Sequence, residues 1–100
     1  MPLSPEKKKS FRNIGHDLKP TVTVAGNGLS EGVINELNRA LSDHELIKVK
    51  LAITDRELRK QLVAELSRKT RAEVVQEIGK VALIYRASDK PNLKTSNLRS

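Results

Sequence analysis

"VTVAGNGLSEGVINEL", residues Val22 to Leu37, decides how the rest of the chain is read. The segment from Thr21 to Ala25 is rich in β-branched residues and reads as a strand. Ala25-Gly26-Asn27-Gly28 is a glycine turn, with Gly26 and Gly28 able to take positive φ. Ser30 then has the chemistry of a helix N-cap, and Glu31 stands in the first turn, where the helix dipole favours an anion. Val33, Ile34, Leu37, Ala40 and Leu41 recur at helical spacing, and Gly32 suits close packing of helix on sheet. Strand, glycine turn and helix start, in that order, make a place where backbone N–H groups can meet a phosphate. The turn carries no charge of its own, so positive charge at such a site must come from elsewhere in the fold.

Working outward, the same alternation of elements continues in both directions. Upstream, Ser4-Pro5 reads as an N-cap with proline at the first helical position. It opens a helix of about residues 5–14, with Phe11, Ile14 and Leu18 turned inward and Gly15 as its stop. Downstream, Ile47, Val49 and Leu51 alternate with Lys48 and Lys50 in a strand that has one core face and one partly open face. Thr54-Asp55-Arg56-Glu57 has the form of a capping box, and a third helix of about 55–69 would bury Leu58, Leu62, Val63 and Leu66. "AEVVQEI" and "VALIYRA" flank Gly79-Lys80 and read as a hairpin. The order α-β-α-β-α-β-β predicts an α/β two-layer sandwich on a four-stranded mixed sheet, with the first helix over part of the other face. Residues 1–87 read as one domain, and 88–100 as a basic, disordered C-terminal tail.

Charge narrows the partner. Nineteen basic residues stand against twelve acidic ones, a formal net charge of +7. Residues 1–19 hold five basic and two acidic side chains, residues 86–100 four and one, and the middle of the chain is nearly balanced. Such a balance points to an anionic partner, nucleic acid first. There is no cysteine, which excludes disulfide and thiol chemistry and fits a cytoplasmic location. The longest apolar run, "VALI", is far short of a membrane span, and the first residues lack the apolar stretch of a secretory signal.

Catalysis finds little support. His16 and His44 are far apart and lack a partner pattern, and the carboxylates pair with basic residues at helical spacing, as Asp55 with Arg59 and Glu65 with Lys69. Gly26, Gly28 and Gly32 miss the dinucleotide-binding spacing by one residue, and no G-K-[ST] follows. No enzyme, cofactor or metal is implied. Phe11 and Tyr85 are the only two large aromatic residues, too few for a base-stacking platform of the usual kind.

Topology supplies the missing charge. Strands that run in one direction end on one edge of the sheet. The glycine turn, the start of the third helix with Arg56, Arg59 and Lys60, and the Gly79-Lys80 turn all fall there. The reading is a clamp for a polynucleotide backbone, with the turn giving close approach and the side chains giving charge.

"LKPTVTVAGNGLSEGVINEL", "HELIKVKLA" and "VVQEIGKVALIYR" resemble, in order and spacing, the bacterial YhbY-like proteins, the stand-alone form of the CRM RNA-binding domain. The resemblance covers about residues 4–87. It implies a fold similar to the C-terminal domain of translation initiation factor three. It also implies RNA binding, with bacterial members associated with precursors of the large ribosomal subunit and plant organellar relatives acting in group II intron splicing. The family's G-x-x-G loop, compared with that of KH domains, falls on Ala25-Gly26-Asn27-Gly28, with Ala25 at the first glycine. Many splicing relatives carry basic residues inside this loop, where this chain has Gly26 and Asn27. The expected phosphate contacts therefore move to Arg56, Arg59, Lys60 and Lys80 around the loop, and to Lys48 and Lys50 on the sheet. The leading expectation is a monomeric, cytoplasmic RNA-binding accessory factor of large-subunit assembly. The alternatives are a protein adaptor with basic tails and a small nucleotide-dependent enzyme.

Overall fold

The computed structural model describes residues 3–26 and 28–87; Asn27 and the expected tail, 88–100, lie outside the described residues. The elements run α1 (Pro5–His16), β1 (Pro20–Val24), α2 (Glu31–His44), β2 (Leu46–Leu51), α3 (Arg56–Thr70), β3 (Glu73–Ile78) and β4 (Val81–Tyr85). The sheet order is β1-β2-β4-β3. β1 and β2 pair in parallel, and β4 lies antiparallel to both β2 and β3. The hairpin therefore inserts its second strand into the centre of the sheet and leaves β3 at the edge. That position explains the apolar run in β4. A central strand is covered on both faces, and Ala82, Leu83 and Ile84 are all buried.

Two apolar clusters hold the layers together. On one face, α2 and α3 cover Val22, Val24, Ile47, Val49, Leu51, Ala82 and Ile84, with Leu37, Leu41, Leu62, Val63 and Leu66 from the helices. On the other face, α1 brings Phe11 against Leu46, Val75 and Leu83, with Ile14, Leu18 and Tyr85 at the margin. The Phe11 and Tyr85 rings meet at 4.8 Å, tilted by 41°. The backbone amide of Leu3 donates to both carboxylate oxygens of Glu73, at 3.0 and 2.8 Å, fastening the chain ahead of α1 to β3.

The caps show where local chemistry set the boundaries. Ser4 and Ser30 cap α1 and α2, their hydroxyls accepting from Lys7 and Val33 amides at 3.2 Å. The α3 cap is Asp55, one residue later than the capping box placed it; its carboxylate accepts from Glu57 and Leu58 amides. Gly15 does not stop α1. The helix runs on to His16, and Gly15 is buried where a Cβ would fall 2.6 Å from a Leu83 methyl. Absence of a side chain there lets α1 lie close on β4. Gly32 has no such role: a Cβ would meet only the Ser30 hydroxyl, at 3.9 Å. Leu58 is 37% exposed rather than buried, because α3 turns that side outward.

A bulge in β3 decides what the open sheet face carries. The register shifts between Val74 and Gln76. Val74 packs against the α2/α3 cluster, whereas Val75 belongs to the α1 cluster. The extra residue flips the strand beyond it. Gln76 pairs with Leu83 and Ile78 with Val81, so Gln76 and Ile78 join the α1 face and Glu77 turns to the α3 side.

Candidate nucleic-acid interface

The C-terminal ends of β1 and β2 and the β3–β4 turn are joined into one edge by backbone hydrogen bonds. The Ala52 amide donates to Val24 carbonyl at 2.8 Å, and the Leu51 amide to Lys80 carbonyl at 2.7 Å. Two patches stand on this edge, and a third on the open sheet face beside it.

The glycine turn follows β1. Its backbone closes through the Gly28 amide, which donates to the Ala25 carbonyl at 3.0 Å. Gly28 sits at φ 85°, the left-handed region that favours glycine. Gly26, equally able to take positive φ, does not: among glycines of the described residues, only Gly28 and Gly79 adopt it. Beyond its chain neighbours, a Cβ added at Gly26 or Gly28 would meet nothing within 4 Å, so both positions have room around them. Ala25 and Gly26 are exposed. The Gly28 amide is committed to closing the turn, which fixes the loop's shape and leaves any phosphate contact to other groups.

Next lies a concavity of about 290 Å³ between α3 and the hairpin tip, lined by Arg56, Arg59, Lys60, Glu77 and Gly79. Arg56 and Lys60 are exposed, and so is Lys80 in the adjoining turn. Arg59 is held. Its guanidinium donates to the Ile53 carbonyl at 2.7 Å and the Thr54 carbonyl at 2.9 Å. It braces the β2–α3 loop instead of pairing with Asp55, whose carboxylate caps the helix. The other expected helical pair forms, Lys69 to Glu65 at 3.2 Å. Three cations against one carboxylate leave the concavity positive.

The third patch is on the open sheet face. Lys48 is half-buried and lines a second concavity, with Gly15 and His16 of α1 beside it. Lys50, next along the same face, is exposed. The structure thus gathers Arg56, Arg59, Lys60 and the hairpin turn into one site. The glycine turn stands apart at the β1 end, and Lys48 and Lys50 lie around the sheet from α3.

One cation counted with the C-terminal charge is half-buried and held by neighbouring elements instead. The Arg86 guanidinium donates to the Asn38 side-chain and backbone oxygens, the Ser42 hydroxyl and the Thr70 carbonyl, all at 2.8–3.0 Å. Burial lowers its pKa from the ordinary arginine value, yet that value is far enough above neutrality to keep the group charged. Arg86 ties the end of β4 to α2 and α3 and leaves the basic surface.

A mixed α/β module with a glycine turn and a cationic concavity on one sheet edge is the class this geometry defines. The chain belongs to the CRS1/YhbY (CRM) domain family, whose model matches residues 3–86. It is 56% identical over 98 residues to the "Probable RNA-binding protein PA4753" of Pseudomonas aeruginosa, spanning 98% of this chain and 94% of that one. It is 41% identical over 92 residues to an RNA-binding protein of Haemophilus influenzae, spanning 92% and 93% of the two chains. The solution structure of a hypothetical protein from Staphylococcus aureus superposes with a TM-score of 0.78 at 32% identity, covering 89% of this chain and 93% of that one. No helix among the described residues is long and apolar enough to cross a membrane.

Proposed function

We propose that this protein binds RNA, and that it does so as an accessory factor on precursors of the large ribosomal subunit. The observation that carries the reading is the convergence of Arg56, Arg59 and Lys60 on the hairpin tip, in a chain of the CRM family. Side chains of α3 meet the β3–β4 hairpin, at Glu77 and Gly79, around one concavity because the parallel strands end together. A phosphodiester backbone running along that edge meets Arg56, Lys60 and Lys80 in turn. The glycine turn offers an approach at the β1 end, since beyond their chain neighbours nothing lies within 4 Å of where a side chain at Gly26 or Gly28 would begin. Positioning of this kind is set by phosphate and shape, and carries little base sequence information.

The test is to resolve a cell extract on a ribosome gradient and crosslink the protein to RNA in each fraction. The protein should travel with particles lighter than the mature large subunit and crosslink to their RNA. Crosslinks confined to mature ribosomes, or to messenger RNA alone, would refute the assembly role.

A further inference from the structure

The concavity on the open sheet face has a composition that backbone binding does not explain. It measures about 250 Å³ and is lined by the apolar Ile78, Val81 and Leu83 together with Gly15, His16, Lys48 and Gln76. Ile78 is 63% exposed. A single exposed isoleucine is ordinary, but Ile78 lines the same hollow as Val81 and Leu83, so the three make one contiguous apolar surface. The bulge in β3 puts Ile78 there.

We infer that this concavity takes one unstacked base of a single-stranded RNA whose backbone lies on the neighbouring cationic edge. The inference rests on the RNA-binding reading above. Size supports it: drug-sized ligands occupy roughly 300–1,000 Å³, and this site is smaller, suited to a ring rather than a whole nucleotide. Chemistry supports it too. Apolar side chains cover the face of a base, the Gln76 amide can both donate and accept at its edge, and the His16 imidazole offers a flat surface to stack on. Phe11 and Tyr85 do not serve, since they pack on each other beneath α1.

Charge and continuity choose RNA over an apolar peptide. Lys48 lines the concavity and Lys50 lies beyond it, so a phosphate flanking the base has cations to meet. Glu77 and Gly79 line the edge concavity, and Ile78, between them in sequence, lines this one. The hairpin tip is thus shared by both sites. A strand gripped at the edge has only to pass the tip to set its next base against Ile78. A duplex cannot do this, because its bases are held in the stack.

The experiment measures affinity for a short single-stranded RNA of mixed sequence over a range of salt, for the wild type and for His16→Ala/Ile78→Ala. Both positions are exposed, and an unchanged melting temperature verifies the fold. The double variant should bind about tenfold more weakly with the same salt slope, because it loses base contacts and no phosphate contact. Lys48→Gln should lower the slope by about 0.7. As a second readout, 4-thiouridine in the RNA should crosslink the wild type at the hairpin tip or the end of α1. Full affinity in the double variant, or crosslinks confined to residues 56–60, would overturn the inference and leave the edge site standing. A wild type that binds no RNA would overturn both readings.

Discussion

Gly28 and Gly26 do different things although they sit two residues apart. Gly28 needs its glycine for conformation, at φ 85°. A side chain there meets no neighbour, so the cost of substitution is the positive φ itself, about 1 kcal/mol and less for Asn or Asp. Gly28→Asp and Gly28→Asn should therefore melt at similar temperatures. If phosphate passes over the turn, the Asp variant should bind RNA much more weakly than the Asn variant; equal binding would make the turn purely structural. Gly26 has an ordinary φ and open space around it. Gly26→Lys should fold normally and place a positive charge inside the loop. Its RNA affinity should rise, and its salt slope should steepen by about 0.7 for one added contact. Unaltered affinity would place the RNA path away from the loop.

Elements, not single residues, explain what the sequence concealed. Apolar periodicity revealed α2, β2 and most of α3, because each has one core face. The serine caps of α1 and α2 were legible because they are local chemistry. Strand order within the sheet, and with it the central place of β4, is a tertiary property, although the run "VALI" is what a strand buried on both faces requires. "EVVQEI" does not alternate cleanly, and its pattern alone does not say where the bulge falls, so the outward face of Ile78 was hidden, and with it the second concavity. Arg86 was misread for a related reason: only the approach of α2 and α3 to the end of β4 supplies its acceptors. Arg86→Met should destabilise the fold by about 2 kcal/mol, since it strands the Thr70 and Asn38 oxygens. Thermal melting should fall by roughly 4–8 °C per kcal/mol in a domain of this size. Arg86→Lys should recover only part of the loss, because an ammonium cannot reproduce the planar fork. A wild-type melting temperature in Arg86→Met would mean these bonds contribute nothing net.

At the scale of the whole molecule, the net charge of +7 steers any polyanion toward the protein, but steering alone does not choose a face. The central claim is that the sheet edge, with Arg56, Lys60 and Lys80 around the hairpin tip, is where phosphate is neutralised. Arg59 is a poor probe of it, because its removal would also release the Ile53 and Thr54 carbonyls that it braces. The exposed Arg56, Lys60 and Lys80 can be changed together to Gln without touching the core. The most direct test is the salt dependence of single-stranded RNA affinity in the wild type and in this triple variant. Four or five phosphate contacts predict a wild-type slope of roughly −3 to −4, at about 0.7 per contact. The triple variant should flatten that slope by about 2 while melting as the wild type does. A slope that stays the same in the triple variant would show that the phosphates lie elsewhere, and would contradict the account.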